Sequence, residues 1–395
     1  MASTVRNYRR KPKSGFNKEP PAGDNKNSEN KKEEIMSTKE ETDAPPVESN
    51  DFNDFDFVDH YGDDSASTGD DLLAENTAAA AINCGFIGVG GGGGKLAKAF
   101  LDLGFNKTVL VNTTEKDQPA DVDPQHFVLL PGADGVGKDV SLGKSILDDN
   151  GALIEDVLRN RLGKLDWLFV LAGGGGGTGS ACTALHGAFE RYLKSSGSSG
   201  TVVYVVTTPS AQELLNPTIA SNADQLRSDV AEYPHIVLDN EKQLQLLRGK
   251  VGMLGMYPAA NAAFAKMLMQ ILKLAGESSS VQTFDSKDLE RCLNTSGRMF
   301  VGTTVIRDPN TTGLGATIFQ GCLRGSPCPS PKGTPDTGVL LLVVSPAAAA
   351  DPQVSNHLES AISYVGGRAS TLFSGVYVKN GAPGVVAIAL LGGLS

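Results

Sequence analysis

Two runs of five consecutive glycines restrict the folds open to this sequence more than any other feature. They occupy residues 90–94 and 173–177, and each directly follows a short apolar segment. Glycine lets the backbone approach a ligand closely, and the N-terminus of a following helix offers free N–H donors and a positive dipole end. Two such loops predict a site for a ligand with several phosphates. The alternative is that the glycines only form tight strand-to-helix turns.

The segments around the glycine runs predict a parallel sheet. Strands rich in Val, Ile and Leu alternate with helical spacing, which is typical of a sheet covered on both faces. Ligands of such sheets bind at the carboxyl ends of the strands, where both runs lie. We predict strands at 84–89, 108–112, 127–130, 167–171, 201–207 and 235–238, and helices at 95–104, 141–161, 180–194 and 261–275. Segments at 339–344, 352–364, 371–378 and 385–391 predict a smaller mixed α/β domain.

The first 80 residues form a tail of uneven charge. Residues 1–39 carry ten Lys or Arg against five Asp or Glu, and residues 40–80 carry thirteen acidic and no basic residues. Such a polar stretch buries too little apolar surface to offset its ordering entropy, so we expect disorder. Within it, acids alternate with aromatics from Phe52 to Tyr61. This segment is either a docking motif for an adaptor protein or a solvated acidic linker.

Composition excludes several classes of protein. The net charge of −10 argues against direct nucleic-acid binding, which rewards a basic surface. No apolar run reaches the roughly 18 residues that span a bilayer, and the N-terminus lacks the apolar core of a secretory signal. The five cysteines form no CxxC pair, which indicates a reduced cytoplasm and excludes a disulfide framework or an obvious zinc site.

Neither common phosphate motif fits well. Residues 88–93 satisfy the dinucleotide pattern GxGxxG, but the acidic residue expected after the second strand is poorly matched. An NAD-dependent oxidoreductase would also leave the second glycine run unexplained. Residues 132–138 have the spacing of a P-loop, but Asp139 replaces the hydroxyl that would hold magnesium.

The second run and its neighbours, AGGGGGTGSA at 172–181, closely resemble the signature loop of the tubulin/FtsZ superfamily. The first run is similar to the opening loop of FtsZ. Further similar segments follow in order over about 300 residues, at 111–113, 132–137, 206–209 with Glu213, 237–242 and 259–261. The resemblance implies an α/β fold: a Rossmann-like GTPase domain at 81–255, a central helix and catalytic loop at 256–289, and an α+β domain at 290–395.

The resemblance also implies a GTPase that polymerises head-to-tail with itself into filaments, with GTP or GDP and Mg²⁺ as ligands. Glu213 would contact the ribose, while Asn240 and Asn261 would read guanine, since an amide offers both a donor and an acceptor. The nucleotide-binding residues implied are Gly91, Gly92, Gly93, Gly94, Lys95, Asn112, Thr113, Gly175, Gly176, Gly177, Thr178, Gly179, Ser180, Pro209, Glu213, Asn240 and Asn261.

In this family two carboxylates after the central helix enter the pocket of the next subunit and orient water for attack on the γ-phosphate. Here the segment TFDSKDL at 283–289 matches, with Asp285 and Asp288 as the catalytic pair. The alternative is an ordinary helix start, with Asp285 as N-cap and Asp288 in the first turn.

Several residues depart from the family pattern, and they suggest slow hydrolysis. The departures are Lys95 for Asn, Thr114 for Asp, Ala181 for Gly, Pro217 for Arg and Thr283 for Asn. Lys95 or Lys138 would have to replace the positive charge that Pro217 removes. We therefore expect a divergent member, such as one specific to a phage, plasmid or lineage. The alternative is a nucleotide-binding scaffold filament that does not hydrolyse.

Overall fold

A ten-stranded sheet is the centre of the computed structural model, which describes residues 73–119, 121–198 and 200–394. The strands are β1 (Cys84–Val89), β2 (Thr108–Asn112), β3 (Phe127–Leu129), β4 (Trp167–Gly173), β5 (Val202–Thr208), β6 (His235–Asp239), β7 (Arg298–Ile306), β8 (Thr337–Val344), β9 (Thr371–Val378) and β10 (Val385–Leu394). Their order across the sheet is β3-β2-β1-β4-β5-β6-β7-β10-β8-β9.

Twelve α-helices accompany the strands in the described residues. They are α1 (Gly90–Leu101), α2 (Val140–Asp149), α3 (Gly151–Val157), α4 (Gly177–Ser180), α5 (His186–Ser195), α6 (Pro217–Asp229), α7 (Asn240–Leu247), α8 (Met256–Leu274), α9 (Ser286–Leu293), α10 (Leu314–Gly325), α11 (Pro346–Ala349) and α12 (Pro352–Gly366). None of these helices is both long and apolar enough to cross a membrane.

The pairing confirms the predicted parallel sheet. Every neighbouring pair from β3 across to β7 is parallel. The strand order reverses between β1 and β4, and in open parallel sheets ligands bind at such a switch point. The C-terminal strands differ in direction, because β10 runs antiparallel to β7 and β8 while β8 and β9 are parallel. They continue the same sheet through two residue pairs between β6 and β7.

Aromatic side chains fix the long helix α8 against the sheet. Phe86 on β1 stacks on Phe100 of α1 with ring centroids 4.2 Å apart, and on Phe169 of β4 at 5.1 Å. Phe264 of α8 meets Phe100 edge-on at 6.2 Å. All four rings are buried. Helix α8 is thereby held to the strands that carry both glycine runs.

Helix α1 begins earlier than predicted. The sequence suggested a start at Lys95, because glycine is a poor helix former, but the helix begins at Gly90. The reason is close packing: a Cβ on Gly88 would lie 2.5 Å from the Gly93 carbonyl oxygen, so the helix approaches the strand more closely than larger residues allow. Strand β7 and helices α6, α7 and α10 were not predicted from the sequence.

Residues 73–80 correct the predicted end of the tail. The prediction placed them in the disordered segment, yet Leu73 is buried and its N–H donates to the Arg161 carbonyl oxygen. Asn76 bridges the body, since its side chain donates to the Cys84 carbonyl oxygen and accepts from the Lys107 N–H. The docking motif predicted from Phe52 to Tyr61 lies outside the described residues. The other domain limits stay predictions.

Candidate functional site

A cavity of about 500 Å³ opens at the carboxyl ends of β1 and β4, between the two glycine runs. Its volume is in the usual range for small-molecule sites. The lining residues are Gly91, Gly92, Lys95, Asn112, Thr113, Thr114, Asp117, Gly135, Val136, Gly137, Lys138, Gly173, Gly174, Gly175, Gly176, Gly177, Thr178, Gly179, Thr207, Pro209, Glu213, Ile219, Asn240, Tyr257 and Asn261. Most of the residues predicted to bind nucleotide are therefore brought together.

Two helix starts form the glycine-rich end of the cavity. Gly90, at the start of α1, has a φ of +72°, which is accessible to glycine but strained for other residues. A Cβ at this position would also lie 2.8 Å from the backbone nitrogen of Gly179 in α4. The two loops therefore pack backbone to backbone. The free N–H groups of the twelve-residue helix α1 are suited to bind phosphate.

Three of the residues predicted to bind nucleotide, Gly93, Gly94 and Ser180, are not among those that line the cavity. Gly93 is buried where α1 crosses β4, and Gly94 faces the Leu110 side chain. Ser180 is completely buried, and its Oγ has no hydrogen-bond partner in the structure. The helical turns rotate these residues away from the open side, so they support the loops from behind.

This distinction predicts opposite outcomes for two glycine-to-alanine substitutions. A Cβ on Gly93 would collide with the backbone oxygen of Leu171, whereas a Cβ on Gly176 would have no atom within 4 Å. Backbone cannot yield as a flexible side chain can. We therefore expect Gly93→Ala to lower the free energy of unfolding by about 1–3 kcal/mol, as overpacked cores do, and Gly176→Ala to stay near wild type.

Denaturant unfolding of both variants would check this. Equal stabilities would contradict the close crossing of α1 over β4.

Buried polar residues connect the loops on the β2 side of the cavity. Thr113 and Thr178 are buried, and their hydroxyl oxygens are 3.0 Å apart. The Gly135 N–H donates to the Thr113 carbonyl oxygen at 2.7 Å, and the Gly177 N–H donates to the Gly137 carbonyl oxygen at 3.0 Å. The loop that contains Gly135 and Gly137 is thereby hydrogen-bonded both to the loop after β2 and to the second glycine run.

The P-loop alternative fails in the structure as it does in the sequence. Asp139 is the N-cap of α2, and its carboxylate accepts a hydrogen bond from the Leu142 N–H at 3.0 Å. Only part of the preceding loop, including Lys138, lines the cavity. Asp139 therefore terminates a loop and has no role comparable to that of a magnesium-binding hydroxyl.

The opposite end of the cavity carries the side chains predicted to bind ribose and base. The Glu213 carboxylate accepts from the Ser210 N–H and hydroxyl, each at 2.8 Å, and from the Tyr257 hydroxyl at 3.3 Å. Asn240 begins α7, and Asn261 lies on the first turns of α8. Within the described chain, neither amide has a protein hydrogen-bond partner, so both are available to a ligand.

Tyr257 lines the cavity but was not predicted from the sequence. It precedes Asn261 by four residues on α8, so both side chains share one face of the helix. The i, i+4 spacing would have indicated that Tyr257 belongs to the site, but only once Asn261 was known to line a cavity.

Positive charge in the cavity comes from two exposed lysines. Lys95 and Lys138 both line it, and among the residues that the structure describes neither pairs with a carboxylate. Pro217, which the resemblance sets against an arginine, is the first residue of α6, where proline suits a helix start. Ile219 of the same helix lines the cavity instead. The proposal that a lysine replaces the arginine charge is thus compatible with their location.

The two candidate catalytic carboxylates lie away from this cavity. Asp285 is the N-cap of α9, accepting from the N–H groups of Lys287 at 2.9 Å and Asp288 at 3.0 Å. The helix-start role given above as the alternative is therefore present, and it does not exclude catalysis. Partial burial, and secondarily the Asp285 charge, raise the pKa of Asp288 above its usual value.

Tyr377 on β9 anchors the segment that leads to these carboxylates. Its buried hydroxyl donates to the Leu274 carbonyl oxygen at 2.7 Å and accepts from the Phe284 N–H at 3.2 Å. It thus joins the end of α8 to the residue before Asp285. The sequence offered no signal for this role, because the partners are about 100 residues apart.

The long helix separates the carboxylates from the cavity of the same chain. Asn261 lines the cavity, and α8 continues to Leu274. At 1.5 Å per residue, these 13 steps cover about 20 Å. The pair cannot reach a ligand in its own cavity.

Three strongly exposed apolar side chains lie within four residues along the chain of Glu213 or Tyr257, which line the cavity. Leu215 is 82% exposed, Met253 87% and Leu254 96%. We call these three residues the apolar rim. Single exposed leucines are common on protein surfaces, whereas large exposed apolar residues that flank cavity-lining positions in sequence are candidates for an interaction surface.

Solved structures with the same fold include several filament proteins. CetZ2 from Haloferax volcanii, solved as a GTPγS-bound protofilament, has a TM-score of 0.65 and 23% identity over 80% of this chain and 94% of that chain. TubZ from Bacillus thuringiensis serovar israelensis, solved as a GTPγS-form protofilament, has a TM-score of 0.65 and 18% identity, covering 80% of this chain and 88% of that chain. An empty FtsZ dimer from M. jannaschii has a TM-score of 0.58 and 16% identity, covering 79% of this chain and 88% of that chain.

Comparison by sequence finds no matching family model and no matching curated protein. The similarity to the solved structures shows that the chain has the tubulin/FtsZ fold, as the resemblance predicted, at low sequence identity.

Proposed function

We propose that this chain binds GTP in the cavity, assembles head-to-tail into filaments and hydrolyses GTP where two copies meet. The observation that carries the proposal is the gathering of both glycine runs, Glu213 and two unpaired asparagine amides around one cavity. The glycine runs suit the phosphates of a nucleotide, Glu213 suits its ribose, and the two asparagine amides suit its base. Two of the three similar structures are described as GTPγS protofilaments, which supports the proposal.

The proposed binding mode follows from the chemistry of each end. The start of α1 and the N–H groups of the second glycine run would hold the phosphates. Glu213 would accept from the ribose hydroxyls, and Asn240 and Asn261 would hydrogen-bond to the edge of guanine. Mg²⁺, when bound with the nucleotide, would neutralise phosphate charge. We propose that Lys95 and Lys138 supply the remaining positive charge.

Hydrolysis would require a second copy. Asp285 and Asp288 are separated from their own cavity by the length of α8, so only a neighbouring subunit can bring them to a bound nucleotide. There the raised pKa of Asp288 would make it a better acceptor for a proton from the attacking water. This arrangement predicts that turnover depends on assembly.

Sedimentation and negative-stain microscopy of the purified chain in GTP, GDP and no nucleotide would test the proposal, with phosphate release followed in parallel. We expect filaments in GTP and a release rate per subunit that rises with protein concentration. NAD(H) serves as the control ligand and should not bind. Absence of both GTP binding and filaments would contradict the proposal.

A non-hydrolysing scaffold filament is the second candidate. It is favoured by Ile219 and by the start of α6 at Pro217, since the described residues that line the cavity include no arginine. Filaments without phosphate release at any concentration would select it.

A further inference from the structure

We propose that Asn222 is a positioning residue that holds the Lys138 backbone so that the lysine side chain reaches the terminal phosphate of bound GTP. This role rests on the proposed function, because it requires GTP in the cavity. It also divides the work of the two cavity lysines, since it assigns the terminal phosphate to Lys138. Asn222 belongs to none of the positions predicted from the sequence.

Asn222 joins two loops at the phosphate end of the cavity. It lies on α6, is 7% exposed, and its side-chain amide donates to the Lys138 carbonyl oxygen at 2.9 Å. The same Nδ2 lies 3.5 Å from the carbonyl oxygen of Gly175 in the second glycine run. Because both neighbours are carbonyl oxygens, the nitrogen of the amide has to face them. One buried side chain of α6 therefore contacts both loops.

The residues on either side of Lys138 are held by hydrogen bonds of their own. The Gly137 carbonyl oxygen accepts from the Gly177 N–H at 3.0 Å, and the Asp139 carboxylate accepts from the Leu142 N–H at 3.0 Å. Three successive residues are thus fixed, while the Lys138 side chain is exposed and lines the cavity. A backbone held in this way lowers the cost of ordering the lysine on a ligand, which is the advantage of preorganisation.

Helix α6 is tied to the same part of the chain at a second point. Lys144 on α2 forms an ion pair with Asp229, the last residue of α6, with Nζ and Oδ2 2.7 Å apart. The helix also packs against the second glycine run, because a Cβ on Gly174 would lie 3.3 Å from the Cα of Ala223. Helix α6 is therefore a rigid support for the loop that carries Lys138.

The start of α6 supplies no positive charge of its own. Pro217 stands where the resemblance expects an arginine, and Ile219 lines the cavity. The N–H groups of Thr218 and Ile219 donate to the Asn216 side chain at 3.0 and 3.4 Å, so the cap of the helix uses them. In the described chain no carboxylate pairs with Lys138. The charge that α6 lacks is therefore available from the loop that α6 supports.

The test is a double-mutant cycle of Asn222→Leu and Lys138→Met in the full chain. Leucine is close to asparagine in size but cannot donate a hydrogen bond, and Lys138 is exposed, so its replacement should leave the fold intact. Affinities for GTPγS and GDP are measured by displacement of a fluorescent GTP analogue, followed by anisotropy below the concentration of assembly. The two ligands differ at the terminal phosphate, so the ratio of their affinities reports on contacts there.

Wild type should bind GTPγS more tightly than GDP. Lys138→Met should lower this preference about 10- to 100-fold, the range expected for a hydrogen bond to a charged group. Asn222→Leu should lower it by a similar factor, and in the Lys138→Met background it should lower it no further, because residues that act through one contact are not additive. Lys95→Met is the matched background, since no described hydrogen bond joins Lys95 to α6. There Asn222→Leu should keep its full effect.

A purely structural role for Asn222 would weaken both ligands by the same factor, or would act equally with and without Lys138. Either result would overturn the inference, and so would equal affinities of wild type for GTPγS and GDP. If wild type binds neither nucleotide, the proposed function itself fails, and this inference falls with it.

Asn222→Asp gives an independent measurement, which also serves if the leucine variant does not fold. An ionised carboxylate at this position would repel the two carbonyl oxygens, whereas a protonated one donates a hydrogen bond as the amide does. We therefore expect the preference of Asn222→Asp for GTPγS to recover toward that of wild type as the pH is lowered. A preference that stays at the wild-type level, or one that lowering the pH does not restore, would contradict the positioning role.

Discussion

Phosphate release should fall about 10²- to 10⁴-fold when Asp285 and Asp288 are both replaced by asparagine, the range that a positioned proton acceptor contributes. Asparagine keeps the size of each side chain and is itself a favoured N-cap. The hydrogen bonds from Lys287 and Asp288 to residue 285 can therefore persist, and α9 should remain intact. The loss would then report on charge and proton acceptance. Phosphate release at fixed polymer mass is the measurement.

Glu290→Gln is the matched control, since Glu290 lies on the same helix and, among the residues that the structure describes, its ion pair is with exposed Lys287. It should retain wild-type turnover. GTP affinity of the double variant should also be unchanged, because neither aspartate lines the cavity. A double variant with full turnover would refute the catalytic assignment.

A mixing experiment tests whether the pair acts between subunits. Gly176→Asp places a carboxylate on the exposed wall of the cavity without a clash, and it should block phosphate binding in a folded chain. Each of these variants alone, Gly176→Asp and the double asparagine variant, should release phosphate far more slowly than wild type. Their mixture should recover activity, because one supplies the nucleotide site and the other supplies the carboxylates. No recovery in mixed filaments would argue against action between subunits.

Replacing the apolar rim with serine at Leu215, Met253 and Leu254 should raise the critical concentration for assembly at least about 100-fold. Fully burying one such side chain contributes about 1.5–3 kcal/mol, and each 1.4 kcal/mol is a factor of ten in an association constant. The three residues are almost fully exposed in the described structure, so their replacement should leave the folded subunit intact. Sedimentation across a concentration series in GTP gives the critical concentration.

A single substitution provides the matched comparison. Leu254→Ser removes a side chain that is 96% exposed and lies three residues before cavity-lining Tyr257, whereas Leu153→Ser removes one that is 40% exposed on α3. We expect only the first to raise the critical concentration, with GTP affinity preserved in both. Unaltered assembly in the triple variant would show that filament contacts lie elsewhere.

Short-range patterns were enough to predict much of the fold. The strands β1, β2 and β9 have the predicted bounds, because continuous apolar runs and their glycine or polar ends are local signals. The start of α1 was wrong, since propensity alone favoured Lys95 and tertiary packing extended the helix to Gly90. There, close packing against neighbouring backbone outweighed the low helix propensity of glycine.

The candidate site divides in the same way. The glycine runs, Glu213, Asn240 and Asn261 were recognisable from residue type and order along the chain. The role of Tyr377 was not, because it contacts Phe284 and Leu274 across about 100 residues of sequence. Asp117 also lines the cavity and was not predicted, since only the folded chain shows its carboxylate beside Gly91.

Residue order alone predicts the parallel sheet, the phosphate-type loops and a carboxylate pair at the start of a helix, because each depends on neighbours within a few positions. It does not separate the exposed Gly176 from the buried Gly93, which belong to similar runs. Tertiary packing decides that difference: α1 crosses β4 at Gly93, while Gly176 faces the open cavity. It also decides that α8 holds Asp285 and Asp288 at a distance from their own cavity, since only the rigid length of a folded helix sets that separation.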